Sequence, residues 1–398
     1  MSAAFDSSKA NTFTPSQGAG VGTLAAEQRA PVDEKRADAA LWGIVLAGGI
    51  GSRFWPLSSP QRPKQLLSLI SDRPLIAETV DRLHPLIPSE RVLVVTSRDI
   101  APAIAAAIPN VPSTNILIEP APLGTAAAVA WATSEIARRA GPESVCCCMH
   151  ADLAVGFVPL FHDSLKEATR VASLDDVLVA IGIRATRPDV GFGYVMAGTP
   201  IESGRALDDM VPCEVASFVE KPDAATAERL VNAGALWNAG VFAWRARVLW
   251  DALEAHCPEV APGLPMVREG DHDGFVQAIS SISIERGLLE RTKDLVVVPG
   301  DFGWDDVGTW ASLRRARDLD DDGNGISGTV YTRDATGNVV HAEASRVVLY
   351  GVSGLLVVSL NGMTFVTTLE RAADLRPLLD GLPDGLRYPG TPPSTATS

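Results

Sequence analysis

From residue 42 to about 298, short apolar runs alternate with stretches of helical period, and this alternation restricts the fold more than any other feature of the chain. Runs at 43–47, 92–96, 116–119, 145–149, 177–183, 213–219 and 295–298 have the length and unbroken apolar character of buried strands. Between the first two, Ile76, Val80, Leu83 and Ile87 recur at spacings of four, three and four, which is one face of a helix. A second helix is expected over Thr125–Ala140, where alanines permit close packing. The pattern specifies an α/β fold: a mostly parallel, Rossmann-like sheet, covered by helices on both faces, with ligands beyond the carboxyl ends of its strands.

The flanks differ. Residues 1–38 carry no sustained apolar period and read as a disordered tail, as do residues 383–398, which are rich in Pro, Gly, Ser and Thr. The main domain then spans 39–317. Residues 318–325, dominated by Asp, Asn and Gly, read as a linker into a small C-terminal β-rich module ending at 382. Short β-like runs at 328–332, 338–341, 346–350, 355–359 and 364–367 precede a helix near 371–379. The pattern fits either a left-handed β-helix or a small sandwich.

Charge and cysteine usage exclude several function classes. The 34 Lys and Arg against 48 Asp and Glu leave a formal net charge of -14, whereas a nucleic-acid partner demands a basic face. Small anionic substrates need only a few local cations and remain open. No apolar run approaches the ~20 residues of a membrane helix, and no signal-peptide pattern opens the chain, so a soluble, cytoplasmic protein is expected. Cys146, Cys147 and Cys148 are consecutive in a strand and point to alternate faces, so they cannot converge on one metal; they read as small core residues.

The stretch 46–69, LAGGIGSRFWPLSSPQRPKQLLSL, carries the chemistry. A strand runs into Gly48, Gly49 and Gly51, then Ser52 and Arg53. Glycines let the backbone approach a phosphate with several N–H groups aimed at it, and Arg53 and Lys64 add cations. No lysine follows at P-loop spacing, and Phe54 stands where the dinucleotide fingerprint needs its third glycine, which disfavours hydride transfer. The chain has only six lysines, so Lys64 in RPKQ and Lys221 in FVEKP, each beside a proline, stand out against a background of arginine. Asp152 and Asp306 follow buried strands and suit a hard cation such as Mg²⁺.

With these residues in view, the loop 46–69 resembles the signature of sugar-1-phosphate nucleotidylyltransferases. Its Trp55-Pro56-Leu57 and Pro63-Lys64-Gln65 resemble the bacterial mannose-1-phosphate guanylyltransferase family. Similar motifs follow in family order: Glu119-Pro120, Gly191-Phe192-Gly193-Tyr194, Phe218-Val219-Glu220-Lys221-Pro222, Trp237-Asn238-Ala239-Gly240-Val241-Phe242, Ser283-Ile284-Glu285 and Phe302-Gly303-Trp304-Asp305-Asp306-Val307-Gly308. The resemblance implies GTP and mannose 1-phosphate as substrates, Mg²⁺ as cofactor and a homodimer. It implies nucleotide binding by Leu46, Ala47, Gly48, Gly49, Gly51, Ser52, Arg53, Lys64, Gly124 and Thr125. Gly193, Tyr194, Glu220, Lys221 and Asn238 would hold the sugar phosphate, and Asp152 and Asp306 the metal. Arg53, Lys64 and Lys221 would act on the reacting phosphates. Two motifs depart from the family pattern: His150-Ala151-Asp152-Leu153 replaces Pro-Ala-Asp-His, and Leu123-Gly124-Thr125-Ala126 replaces Arg-Asn-Thr-Ala. A sugar phosphate is already anionic near neutral pH, so no general base is required, and none of the histidines is expected to be catalytic. Another sugar 1-phosphate, another nucleotide, or a non-catalytic sugar-nucleotide-binding regulator are the competing readings.

Overall fold

In the computed structural model, which describes residues 40–49, 54–205, 211–360 and 362–387, the apolar runs become strands of a nine-stranded sheet. Strands β1 (Leu41–Leu46), β2 (Val92–Ser97), β3 (Ile116–Glu119) and β4 (Val145–His150) pair in parallel in the order β3-β2-β1-β4. A short β5 (Ala154–Val155) follows β4. The sheet continues with β6 (Leu178–Arg184), β7 (Gly193–Pro200), β8 (Cys213–Glu220), β9 (Leu236–Arg245) and β10 (Leu295–Gly300), ordered β9-β6-β10-β8-β7. Here only β6 and β10 pair in parallel; β9 runs against β4 and β6, β8 against β10, and β7 against β8 and β9. The mostly parallel sheet expected from sequence is therefore mixed. Parallel neighbours need long crossovers, usually helical, and the links 185–192 and 201–212 contain no helix among their described residues.

Helices cover both faces. Below the sheet, α1 (Leu75–Arg82), α2 (Ala101–Ala107) and α4 (Val158–Leu174) bury Ile76, Val80, Ile104, Phe161 and Leu165 against Val45, Val94 and Cys147. Above it, α3 (Thr125–Ala140) and the helix Ala246–His256 bury Val129, Ile136, Leu249 and Leu253 against Ile44, Cys146 and Cys148. The three cysteines are fully buried and divided between the faces as strand alternation requires. Each buried methylene contributes about 0.8 kcal/mol, so these two layers supply most of the drive to fold. Because β2 and β4 flank β1 on opposite sides, the chain reverses its winding there. The switch point lies beyond Leu46 and His150, which are in register.

The C-terminal strands are β12 (Gly325–Arg333), β13 (Val339–Tyr350) and β14 (Leu355–Leu360), stacked in parallel, with β15 (Met363–Thr368) antiparallel to β14. They follow β11 (Trp304–Asp305), which pairs with β5. The runs at 338–341 and 346–350, expected as two strands, form the single strand β13. The pairing with β12 shifts within it: Ser327 pairs with His341 and Thr329 with Arg346, so residues 342–345 of β13 bulge opposite Gly328, where φ is +96° and a Cβ would lie 2.1 Å from the Ala342 carbonyl oxygen. Residues 318–325 are an ordered turn rather than a loose linker. Asp320 accepts hydrogen bonds from Asn324 N and Nδ2, and buried Asn324 Oδ1 accepts from Asn338 N and Nδ2. The expected helix at 371–379 divides into a turn, Arg371–Ala373, and a helix, Arg376–Gly381, that restarts at Pro377. Part of the expected C-terminal tail is also ordered: Asp384–Arg387 is helical, and the Arg387 carbonyl accepts from Trp55 Nε1 at 2.7 Å. The remainder of both tails lies outside the described residues.

A third core joins these strands to the signature loop: Phe54, Trp55, Leu67 and Leu69 pack with Trp310, Val339, Leu356 and Val358. Arg62 also pairs with Glu343, and buried Arg317 donates to Leu69 O. Among the described residues, no helix is long and apolar enough to cross a membrane.

Candidate active site

Two cavities open at the switch point, one of about 420 Å³ and one of about 270 Å³. Lys64 enters the larger from a tight turn, Lys64–Leu66, that follows Pro63. Its neighbour Gln65 is buried and donates to Ala47 O at 2.8 Å, which ties this turn to the end of β1. Lys64 Nζ lies 2.7 Å from Asp152 Oδ2 and donates to Asp306 O at 2.7 Å. The three residues that sequence placed at separate points on the chain thus meet at one.

The electrostatics of the two aspartates diverge. Burial opposes ionisation of Asp152, but the Lys64 ammonium, aided by His150, outweighs it and leaves the carboxyl below its usual range. Asp306 is pushed up to about 6 by burial, which Lys64 only partly offsets and Asp305 reinforces. Asp305 does not line the cleft. It is buried, accepts from Val307 N at 3.0 Å and pairs with Arg315. That contact holds Val307 at φ +46°, a conformation a β-branched residue rarely adopts, and so shapes the loop that presents Asp306.

At the far end of the larger cavity stand Gly193, Glu220, Asn238 and Glu285. At Gly193 a Cβ would lie 2.5 Å from Glu220 Oε2, so a larger residue there would displace the Glu220 carboxylate. Asn238 Oδ1 accepts from Gly240 N, leaving the amide nitrogen without a partner among the described residues. Burial raises the Glu220 pKa, and nearby Glu285 adds to that while Lys221 opposes it. Phe192, Trp237 and Trp304 form an edge-packed aromatic wall. One sequence assignment is corrected here, that of Tyr194. Tyr194 follows Gly193 on β7 and so points to the opposite face, where it is buried and its hydroxyl bonds the backbone of Asp189. Lys221 does not line the cavity; it stands half-exposed at the rim, paired with Glu220 at 2.9 Å.

The smaller cavity is walled by Leu46, Gly48, Gly49, Gly124 and Thr125, all read from sequence, and by Glu119. Gly124 has φ +85°, and a Cβ there would lie 2.3 Å from Ile282 O. Thr125 Oγ1 accepts from Ile284 N at 2.8 Å, so the segment that carries Glu285 is anchored to the start of α3. Burial pushes the Glu119 carboxyl up to about 7, and no protein donor among the described residues contacts it. Ala47 is buried beneath the loop and contributes its carbonyl to Gln65. Gly51, Ser52 and Arg53 lie outside the described residues.

A family model described as nucleotidyl transferase matches residues 42–323, which take in both cavities. The chain belongs to the nucleotidyl transferase family. Among the relatives of this nucleotidyltransferase is a mannose-1-phosphate guanylyltransferase of Klebsiella pneumoniae, 31% identical over 359 residues, covering 86% of this chain and 74% of that one. Another, from Escherichia coli K12, bears the same name and is 32% identical over 360 residues with the same coverage. A solved structure described as a mannose-1-phosphate geranyltransferase of Thermus thermophilus superposes with a TM-score of 0.76 at 31% identity, covering 85% of this chain and 98% of that one.

Sequence reasoning missed four residues. Glu285 and Glu119 were visible only as members of motifs, Gln65 as part of Pro63-Lys64-Gln65, and His150 only as the first residue of His150-Ala151-Asp152-Leu153. Their roles arise from approaches between distant segments. The one local signal was that Glu119 and His150 both end parallel strands that point at the switch point.

Proposed function

We propose that this nucleotidyltransferase joins GTP to mannose 1-phosphate, forming GDP-mannose and pyrophosphate. The observation that carries the reading is the meeting of two unlike cavities beside Lys64. One has a floor of glycines for a nucleotide, and the other is lined with carboxylates and an amide for sugar hydroxyls. The names of the relatives support the substrate pair. A sugar-phosphate oxygen attacks the α-phosphorus in line, the bond to the β-phosphate oxygen breaks, and pyrophosphate leaves with the electron pair. Lys64 and the glycine-loop amides, with Arg53, would hold the phosphates aligned and offset their charge.

The larger cavity presents Asp152, Glu220, Glu285 and Asp306 against the single ammonium of Lys64. So acidic a lining fits anionic substrates only if a cation accompanies them. No cluster of three or more His, Cys, Asp or Glu among the described residues could hold a metal alone. Asp152 and Asp306 suit Mg²⁺, which commonly takes one or two carboxylates and completes its shell with phosphate oxygens and water. When bound there, Mg²⁺ would neutralise phosphate charge. Pyrophosphate release measured across a matrix of nucleotides, sugar phosphates and metals tests the whole reading. A tenfold higher kcat/KM for dTTP or ATP would overturn the guanine assignment.

Glu119 supplies the preference for guanine. Its carboxylate would accept from the adjacent N1–H and exocyclic amine, a pair of donors that adenine, uracil and thymine lack. Because burial holds its pKa near 7, acid should remove the acceptor. The KM for GTP is expected to rise as pH falls below about 7, by up to about tenfold per pH unit. Glu119→Gln should abolish that rise and narrow the preference for GTP over ATP about tenfold. An unchanged profile in the variant would exclude the role.

The strands after residue 318 support a left-handed β-helix-like module that assembles the protein as a homodimer. On edge strand β12, Tyr331 is 62% exposed beside its register partner Val348 at 67%, with Tyr350 on the same face of β13 at 69%. A solvent-facing apolar stripe on an unpaired edge suits a second copy of the chain. Sedimentation should show a dimer at micromolar concentration and a monomer for Tyr331→Lys with Val348→Lys. A wild-type protein that stays monomeric would refute the assembly.

A further inference from the structure

We infer that His150 is a catalytic residue whose imidazole donates a hydrogen bond to the α-phosphate during transfer. The inference rests on the two cavities holding nucleotide and sugar phosphate, as proposed above. His150 lines both of them, and no other residue among those described does so. In an in-line displacement the α-phosphorus is the atom shared by the two substrates. It must sit where the cavities join, and His150 stands there.

The imidazole is fixed without using its nitrogens. His150 ends β4 in register with Leu46, the last residue of β1 before the glycine loop. Its ring lies against the backbone of Gly240, where a Cβ would be 3.1 Å from His150 Cδ2 and 3.9 Å from Nε2. Gly240 has φ +68° and donates its N–H to Asn238 Oδ1, so the surface supporting the ring is held by a residue of the sugar end. The imidazole is half-buried and makes no hydrogen bond with any described residue. A rigid, partly desolvated donor aimed at a site of developing charge is an arrangement that stabilises a transition state without reorganisation.

The family pattern noted above has proline at this position, which offers no side-chain donor. Here the donor is added to the machinery rather than replacing part of it. No proton is transferred in the step. The bond from the sugar-phosphate oxygen to the α-phosphorus forms, the bond to the pyrophosphate oxygen breaks, and the N–H stays on the ring. A neutral donor therefore suffices, so glutamine should stand in where alanine cannot.

Steady-state pyrophosphate release by wild type, His150→Ala and His150→Gln tests this. The alanine variant is expected to lose about thirtyfold in kcat, with both KM values within about threefold and an unchanged melting temperature. Glutamine should restore kcat to within about fivefold of wild type. With GTP carrying sulfur at a non-bridging α-position, one diastereomer should slow wild type markedly, and His150→Ala should lose most of that discrimination. Wild-type turnover with this substrate pair tests the reading of the cavities, whereas the ratio of variant to wild type tests His150. The two failures are therefore distinct. An alanine variant with more than half the wild-type kcat overturns the inference. So does a loss that glutamine does not rescue, or one accompanied by matching changes in KM and melting temperature.

Discussion

Asp152→Asn and Asp306→Asn are each expected to lower kcat roughly a hundredfold or more, about 3 kcal/mol at the transition state. Asparagine keeps the shape of aspartate and removes the charge that would hold a hard cation. The two variants should differ in stability, because the fold treats the two carboxyls oppositely. Lys64 holds the Asp152 pKa below the unfolded value, so ionised Asp152 stabilises the fold above the usual carboxylate range and loses that contribution in acid. Asp152→Asn should therefore melt lower than wild type at pH 7. The Asp306 pKa is raised to about 6, so the folded state binds more protons than the unfolded chain between about 4 and 6, and stability falls as pH rises through that window. Above it the ionised carboxyl is a constant cost, which Asp306→Asn relieves. In the absence of metal at pH 8, Asp306→Asn should melt no lower than wild type while being nearly inactive. Asp305→Asn is the control: it keeps an acceptor for Val307 N, weakens the pairing with Arg315, and should retain most activity. If Asp305→Asn abolishes turnover while Asp306→Asn stays active, the metal ligands have been assigned to the wrong neighbour.

Legibility in the sequence followed burial. Strands β1, β2 and β4 are covered on both faces, so they appear as unbroken apolar runs, and α3 begins and ends where its pattern does. Strands β7 and β9 escaped notice because glycine, asparagine and aromatic residues interrupt them where they line the cavity. The same rule explains the misplaced tyrosine. Gly193 and Tyr194 are adjacent on β7, so only one can face the cleft, and alternation alone excluded placing both there. Asp152 and Asp306 were found because each follows a buried strand, and Lys64 because a lysine beside a proline in the glycine-loop stretch stands out in so lysine-poor a chain. Glu285 was not, because its place depends on Ile282 and Ile284 docking at the start of α3, a contact between segments about 160 residues apart that no local pattern encodes.

Lys64 is the residue whose loss should cost most. Its ammonium is nearly buried, pairs with Asp152 and donates to the Asp306 carbonyl, while its own turn is tied through Gln65 to the end of β1. It therefore reports the position of three separate segments to one point, beside which the phosphates must lie. Lys64→Met keeps length and apolar stem but removes the charge; kcat is expected to fall about a thousandfold, on the order of 4 kcal/mol. Lys64→Arg should recover no more than about a tenth of wild-type activity, because a planar fork needs more room and different acceptors than a compact ammonium. Stability should respond in a pH-dependent way. Without the ammonium, Asp152 loses the partner that kept its pKa low, and Asp306 loses the charge that partly offset its burial. Breaking such a pair typically costs about 3 kcal/mol, with less expected here because Asp152 retains 33% side-chain exposure. The cost exists only while the carboxyls are ionised. The gap in melting temperature between wild type and Lys64→Met should be widest above pH 7, narrow as pH falls through about 6, where Asp306 takes up its proton, and narrow further below the usual carboxylate range, where Asp152 does. Melting curves collected across that range decide the point. A gap that stays constant from pH 8 to pH 4 would mean that Lys64 acts through packing alone, and its pairing with the aspartates would not be what assembles the site.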